Sequence, residues 1–312
     1  MSSIIEASRL VKYYRKGKKP AVDDLDLTVP EGRLFTLLGR NGAGKTTFLR
    51  MATTQLLQTS GALSVLGMDT VKEAKKIRRR IAVAPQEAKP LWSLNPYDHV
   101  VLALMIRGES RSSAAAKAEE VLKKLDLEEF KRVHSEDLSG GLRQRILIAM
   151  TVACEAEVLF LDEPTIGLDP LGRRKVWNEL IRLKKEKGKT IVLTTHYMDE
   201  AEALSDELVI LDKGRALVKG TPFDVRAGHL QARLRVDVSG GFSQAELESY
   251  GKVSVAGNLS RIFVDEGVAE EISKEAVKRR ATISISPVTL DDVFVDIVGS
   301  SIEDDEGADG HE

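Results

Sequence analysis

The segment that most constrains this chain is Gly39-Arg40-Asn41-Gly42-Ala43-Gly44-Lys45-Thr46, which follows the apolar run Leu34–Leu38 and precedes a helical pattern over 47–56. Glycines let a backbone wrap around an anion with its N–H groups pointing inward, and a helix starting there adds the positive end of its dipole. G-x-x-x-x-G-K-T between a strand and a helix is the phosphate-binding loop pattern. Gly39 to Thr47 then form the nucleotide cradle, with Lys45 reaching β- and γ-phosphates and the Thr46 hydroxyl binding Mg²⁺. A glycine-rich turn with a surface lysine is the competing reading, and the flanking strand and helix argue against it.

Three more short apolar runs end at polar or turn-forming residues: Ile81–Ala84 before Pro85, 158–161 before Asp162, and 191–195 before His196. Such runs read as strands buried on both faces, which predicts a parallel α/β sheet. Chemistry-bearing residues then collect at the C-terminal strand ends, where open α/β sheets bind ligands. From about 90 to 137 the pattern turns helical, with 3.6-residue apolar spacing over 114–127, and predicts an inserted helical subdomain.

A DKGR turn follows Leu211, and the polar, glycine-bearing stretch 220–229 reads as a linker. The first domain is therefore placed at 3–225 and a small α+β domain at 230–299. Alternation over 232–238, helices near 244–250 and 269–280, and strands near Val253, Ile262 and 283–285 suggest a βαββαβ, ferredoxin-like order. Residues 300–312, dense in acids, read as a disordered tail.

A chain of 312 residues, 42% apolar, can bury one sizeable core and a smaller second one. Its formal charge of -2 becomes mildly basic without the six acids of 303–312, a balance that does not point to nucleic acid. Cys154 is the only cysteine, which excludes an internal disulfide and fits a reducing compartment. The start lacks a signal-peptide pattern, and the longest apolar run, 100–106, is too short to span a bilayer. These features predict a cytoplasmic protein with no direct membrane insertion.

Asp162 and Glu163 close the strand at 158–161. Alone, two adjacent acids are an ordinary strand edge or helix cap; beside a phosphate loop they suit a metal ligand and a base for water. Between the loop and these acids lies Leu138-Ser139-Gly140-Gly141-Leu142-Arg143-Gln144-Arg145. That segment resembles the signature motif of the ABC ATPases, with Leu142 where many members carry glutamine. In isolation it is a serine-capped helix start able to face an anion.

Other residues resemble the family in the same order: Gln86 its Q-loop glutamine, Gly167-Leu168-Asp169-Pro170 its D-loop, His196 its switch histidine, and Tyr14 its adenine-stacking aromatic, with Tyr13 competing for that role. The resemblance covers residues 3 to 225 and implies a P-loop NTPase (RecA-like) core that binds and hydrolyses ATP with Mg²⁺. It implies Asp162, Thr46 and Gln86 as metal contacts, Glu163, His196 and Gln86 as catalytic groups, with Gln86 also touching the attacking water, and Ser139, Gly140 and Gly141 as contacts to ATP on a second ATPase subunit. Asp169 links the two sites, in a homodimer or heterodimer.

Pro287-Val288-Thr289-Leu290-Asp291-Asp292-Val293-Phe294 resembles the ending of ATPases that serve ABC-2-type exporters. Separate permease subunits, at the inner face of the membrane, are implied. A soluble non-transport ABC ATPase is the alternative, although neither a long heptad run nor a second phosphate loop is present.

Overall fold

The structure is a computed structural model describing residues 2–15, 18–229 and 233–308. Two compact units divide the chain, Met1–Lys219 and Gly220–Glu312.

The first is built on a six-stranded sheet in the order Arg215–Gly220, Glu207–Asp212, Leu34–Leu38, Thr190–Thr195, Val158–Asp162, Ile81–Ala84. From Glu207–Asp212 to Ile81–Ala84 every neighbouring pair is parallel. Every residue of the three central strands is buried, as a sheet covered on both faces demands. Alternate side chains feed two cores. Val158, Phe160, Val192, Phe35 and Leu37 join one cluster; Leu159, Leu161, Ile191, Leu193 and Leu34 join the other.

The first core is closed by an antiparallel sheet, Val22–Pro30, Ser3–Lys12, Ser60–Val65 and Met68–Asp69, with the helix Lys45–Ala52 that follows the phosphate loop. Helices close the second: Pro96–Ile106, Arg111–Lys124, Gly140–Ala153 and Pro170–Lys187. Asn95 caps Pro96–Ile106 by accepting from the Asp98 N–H at 2.9 Å, and Ser110 caps Arg111–Lys124 at 3.2 Å. These first two helices, with a short 3₁₀ turn at Ser135–Asp137, occupy the stretch between strands Ile81–Ala84 and Val158–Asp162.

The second unit opens with a helix, Pro222–His229, where the sequence suggested a linker and a domain end at 225. Its polar start is a cap: the Thr221 hydroxyl accepts from the Asp224 N–H at 3.1 Å and donates to the Asp224 carboxylate at 2.7 Å. Val225 is its buried anchor.

Next come Leu234–Ser239, Gln244–Glu248, Val253–Ala256, Leu259–Val264, Glu266–Arg279 and Thr282–Pro287, strand and helix in βαββαβ order. Their sheet runs Val253–Ala256, Leu259–Val264, Leu234–Ser239, Thr282–Pro287, antiparallel throughout, the split βαβ arrangement. Ala232, assigned to the first strand by alternation, lies outside the described residues. The last helix, Leu290–Ala308, runs into the acidic stretch expected to be a disordered tail, because extending a helix already anchored by buried turns costs little. Residues 309–312 lie outside the described residues. No helix among the described residues is long and apolar enough to cross a membrane.

Candidate functional site

The loop Gly39 to Gly44 leaves the C-terminal end of strand Leu34–Leu38, tethered by the Gly39 N–H to the Thr195 carbonyl at 3.3 Å. Gly44 has φ of 101° and is the residue from which helix Lys45–Ala52 starts; a Cβ there would lie 2.5 Å from the Ala21 carbonyl oxygen. Glycine is therefore required by both backbone and space.

Lys45, 4% exposed, folds back over the loop and donates to the carbonyls of Gly39 at 2.7 Å and Arg40 at 3.0 Å. It also lies 3.4 Å from Glu163 Oε1. Burial pushes its pKa down, opposed by Glu163 and Asp162.

Strand Val158–Asp162 delivers Asp162, whose Oδ1 accepts from the hydroxyls of Thr194 at 2.6 Å and Thr46 at 3.1 Å. Burial raises its pKa, and those two hydroxyls pull the other way. Glu163 follows with φ of 48°, a left-handed backbone that strains any side chain-bearing residue. Its N–H is held by the Thr194 hydroxyl at 3.0 Å and carbonyl at 3.1 Å.

Gln86 Nε2 and His196 Nδ1 both lie 3.1 Å from Glu163 Oε2. Three segments far apart in sequence thus converge on one buried carboxylate. The hollow over the loop, about 190 Å³, is lined by residues from Asn41 to Thr47 with Gln86 and Glu163. Its donor set of hydroxyl, carboxylate and amide oxygens suits a hard divalent cation.

Most of the remaining predicted residues do not line that hollow, Asn41 being the exception. Arg40 and Asn41 are exposed on the loop. Tyr14, 43% exposed, places its hydroxyl 3.3 Å from the Thr47 hydroxyl, while Tyr13 gives its backbone N–H to Thr59. Of the two tyrosines, Tyr14 is the one whose side chain hydrogen-bonds the loop helix among the described residues. Ser139 is exposed and caps helix Gly140–Ala153, accepting from the Leu142 N–H at 3.3 Å. Gly140 lines a different hollow, about 300 Å³, with Ala88, Pro90, Trp92, Arg143 and Leu147. Asp169 caps helix Pro170–Lys187 through the Gly172 N–H at 2.8 Å.

Two contacts here escape the sequence reading. Thr194 ties Asp162 to the Glu163 backbone, and Gln144 Nε2 donates to the Pro164 carbonyl at 3.2 Å, joining the signature helix to the loop after Glu163. Two threonines at the end of an otherwise apolar strand are the one signal that could have found the first.

Residues 22–166 match the ABC transporter family. Over 96% of the chain, and 94% of the relative, it is 33% identical to the daunorubicin/doxorubicin resistance ATP-binding protein of Streptomyces peucetius. The chain belongs to the ABC transporter ATP-binding family.

This ABC ATPase is also 34% identical to the Nod factor export ATP-binding protein I of Rhizobium sp. (strain N33), across 92% of the chain and 95% of that protein. Its fold superimposes with a TM-score of 0.65 on an ATP-binding cassette solved as a dimer in a post-hydrolysis state with ADP and Pi. That likeness covers 70% of the chain and 98% of the other, at 27% identity. The protein is the ATP-binding and ATP-hydrolysing subunit of an ABC transporter, on the P-loop fold.

Proposed function

We propose that this ABC ATPase drives export through separate ABC-2-type permease subunits, by closing around ATP with a second ATPase subunit and reopening after hydrolysis. The observation that carries the site assignment is the convergence of Lys45, Gln86 and His196 on the Glu163 carboxylate. Lys45 exchanges its carbonyl partners for β- and γ-phosphate oxygens. Thr46, Asp162 and Gln86 would hold Mg²⁺, which neutralises charge on the phosphates. Glu163 orients and polarises the attacking water, and His196 holds Glu163 and the γ-phosphate in register. Catalysis is then chiefly positioning and charge placement.

Ser139, Gly140 and Gly141 offer a hydroxyl, amides and a helix N-terminus that the opposite subunit's γ-phosphate can use, which their exposure favours. Asp169 lies at the same paired face, and Tyr14 stacks on the adenine. Export, rather than import, is supported by the two relatives named for drug resistance and Nod factor export. The hollow lined by Ala88, Trp92 and Arg143, the first two near Gln86 in sequence, would receive a permease segment. The subunit would then sit peripherally at the cytoplasmic face of the membrane.

Glu163→Gln tests the assignment. ATP hydrolysis should fall by about 100-fold or more, the usual weight of a general base, with ATP still bound. Hydrolysis at the normal rate would refute it.

A further inference from the structure

A second buried carboxylate lies close to the site in sequence and is used by none of the steps above. Glu200, in helix Met198–Leu204 just after His196, is fully buried. Its Oε1 accepts from the Thr165 hydroxyl and from the Trp177 indole N–H, both at 2.9 Å. Its Oε2 is buried with no hydrogen-bond partner among the described residues.

Each of these partners belongs to a different functional segment. Thr165 lies in the turn between Glu163 and Asp169, where its carbonyl accepts from the Leu168 N–H at 3.1 Å. Trp177 is on helix Pro170–Lys187, the helix Asp169 caps. Two of these segments, the Asp169 helix and the one carrying His196, meet again nearby. The Arg173 guanidinium lies 4.0 Å from the Tyr197 ring and donates to Asp199 at 3.3 Å, and Tyr197 stands against His196 with ring centroids 4.2 Å apart.

We propose that Glu200 is a positioning residue: one carboxyl oxygen fastens the Glu163-to-Asp169 turn and the Asp169 helix to the segment that carries His196. The catalytic histidine and the loop facing the second subunit are thereby set as one piece.

The chemistry of the carboxyl fits that task as a neutral acid. The Thr165 and Trp177 donors both fall on one oxygen, as on the carbonyl of a carboxylic acid, whereas an ionised group would leave its second oxygen buried without a hydrogen bond, the nearby Thr195 side chain making none to it. Burial also pushes the Glu200 pKa up, against the Thr195, Trp177 and Thr165 side chains. An amide reproduces the neutral acid, with its oxygen accepting from the same two donors; alanine takes the partner from the buried Thr165 hydroxyl and the half-buried Trp177 N–H.

The inference rests on the roles given above to His196 and Asp169, so His196→Ala is measured beside it. With the full chain, Glu200→Ala should lower kcat for ATP hydrolysis about 10-fold while KM for ATP stays within about 2-fold, the pattern of misplaced groups rather than lost binding. Glu200→Gln should restore kcat to within about 2-fold of the parent. Should Glu200→Ala fail to fold, Thr165→Val, which removes one donor and keeps the shape, should show the same split to a smaller degree.

Glu200→Gln falling as far as alanine would overturn the proposal. So would an unchanged kcat in a folded Glu200→Ala, or, if alanine does not fold, in Thr165→Val. A His196→Ala chain at full rate would instead sink the site assignment itself, and a dead His196→Ala beside a fully active Glu200→Ala would sink only the role of Glu200.

Discussion

Glu163, proposed above as the group that orients the attacking water, sits in a left-handed backbone, and the two bonds from its N–H to Thr194 hold it there. Strain of this kind costs on the order of 1–3 kcal/mol and persists where the surroundings over-determine it, as they do here. His99 shows the opposite use of a polar side chain. Its Nε2 accepts from the Leu91 N–H at 2.8 Å and its Nδ1 lies 2.9 Å from the Asn95 carbonyl, so the neutral ring pins the segment beside Trp92. Burial holds its pKa below the ordinary 6.5. Once pH drops through 6.5, the unfolded chain takes up a proton that the folded ring refuses, so stability is lost and then levels off beneath the folded pKa. His99→Gln should lower stability at pH 7 but flatten its decline from pH 7 to 5. Denaturant midpoints across that range check this, and an unchanged acid slope would contradict it.

Among the elements, strands Leu34–Leu38 and Ile81–Ala84 are readable from the sequence to the residue, because burial on both faces leaves a nearly continuous apolar run, interrupted only by the buried Thr36, that ends at a turn or glycine. The antiparallel sheet escapes that reading. Bulges break the period-two pattern of Ser3–Lys12 and its pairing with Val22–Pro30, with Arg9 and Asp24 at positive φ. The helix Pro222–His229 is hidden by its own cap, whose polar residues look like a linker.

The motif at 287–294 has a physical meaning that spacing alone does not reveal. Thr289 caps the last helix through Asp292, and the buried Asp292 carboxylate also receives Arg235 at 3.1 Å and Arg261 at 3.4 Å. Asp292→Ala should destabilise the second unit by about 2–3 kcal/mol, the cost of breaking a buried pair reduced for the partial exposure of both arginines. Chemical unfolding followed in the second unit measures it, and a loss below about 0.5 kcal/mol, the level of an ordinary surface substitution, would contradict it.

Across the whole molecule, the candidate site is legible in the sequence because the loop, the acids and the histidine each end a strand of one sheet. The sequence does not show the contacts that join them. Gln144 to Pro164, Thr165 to Glu200 and Trp177 to Glu200 link residues 20 to 35 positions apart through single polar atoms, which leave no local pattern.

On the function proposed above, one chain does not complete the site. Ser139 is exposed and lines no part of the hollow over Lys45, so a phosphate gripped by both needs two chains. Light scattering of the Glu163→Gln chain, with and without MgATP, tests that pairing. The mass should double on adding MgATP. Ser139→Asp in the same background should abolish the doubling, since aspartate keeps the helix cap but repels phosphate. A chain that stays single at saturating MgATP, or that pairs equally well with Asp at 139, would contradict the shared grip.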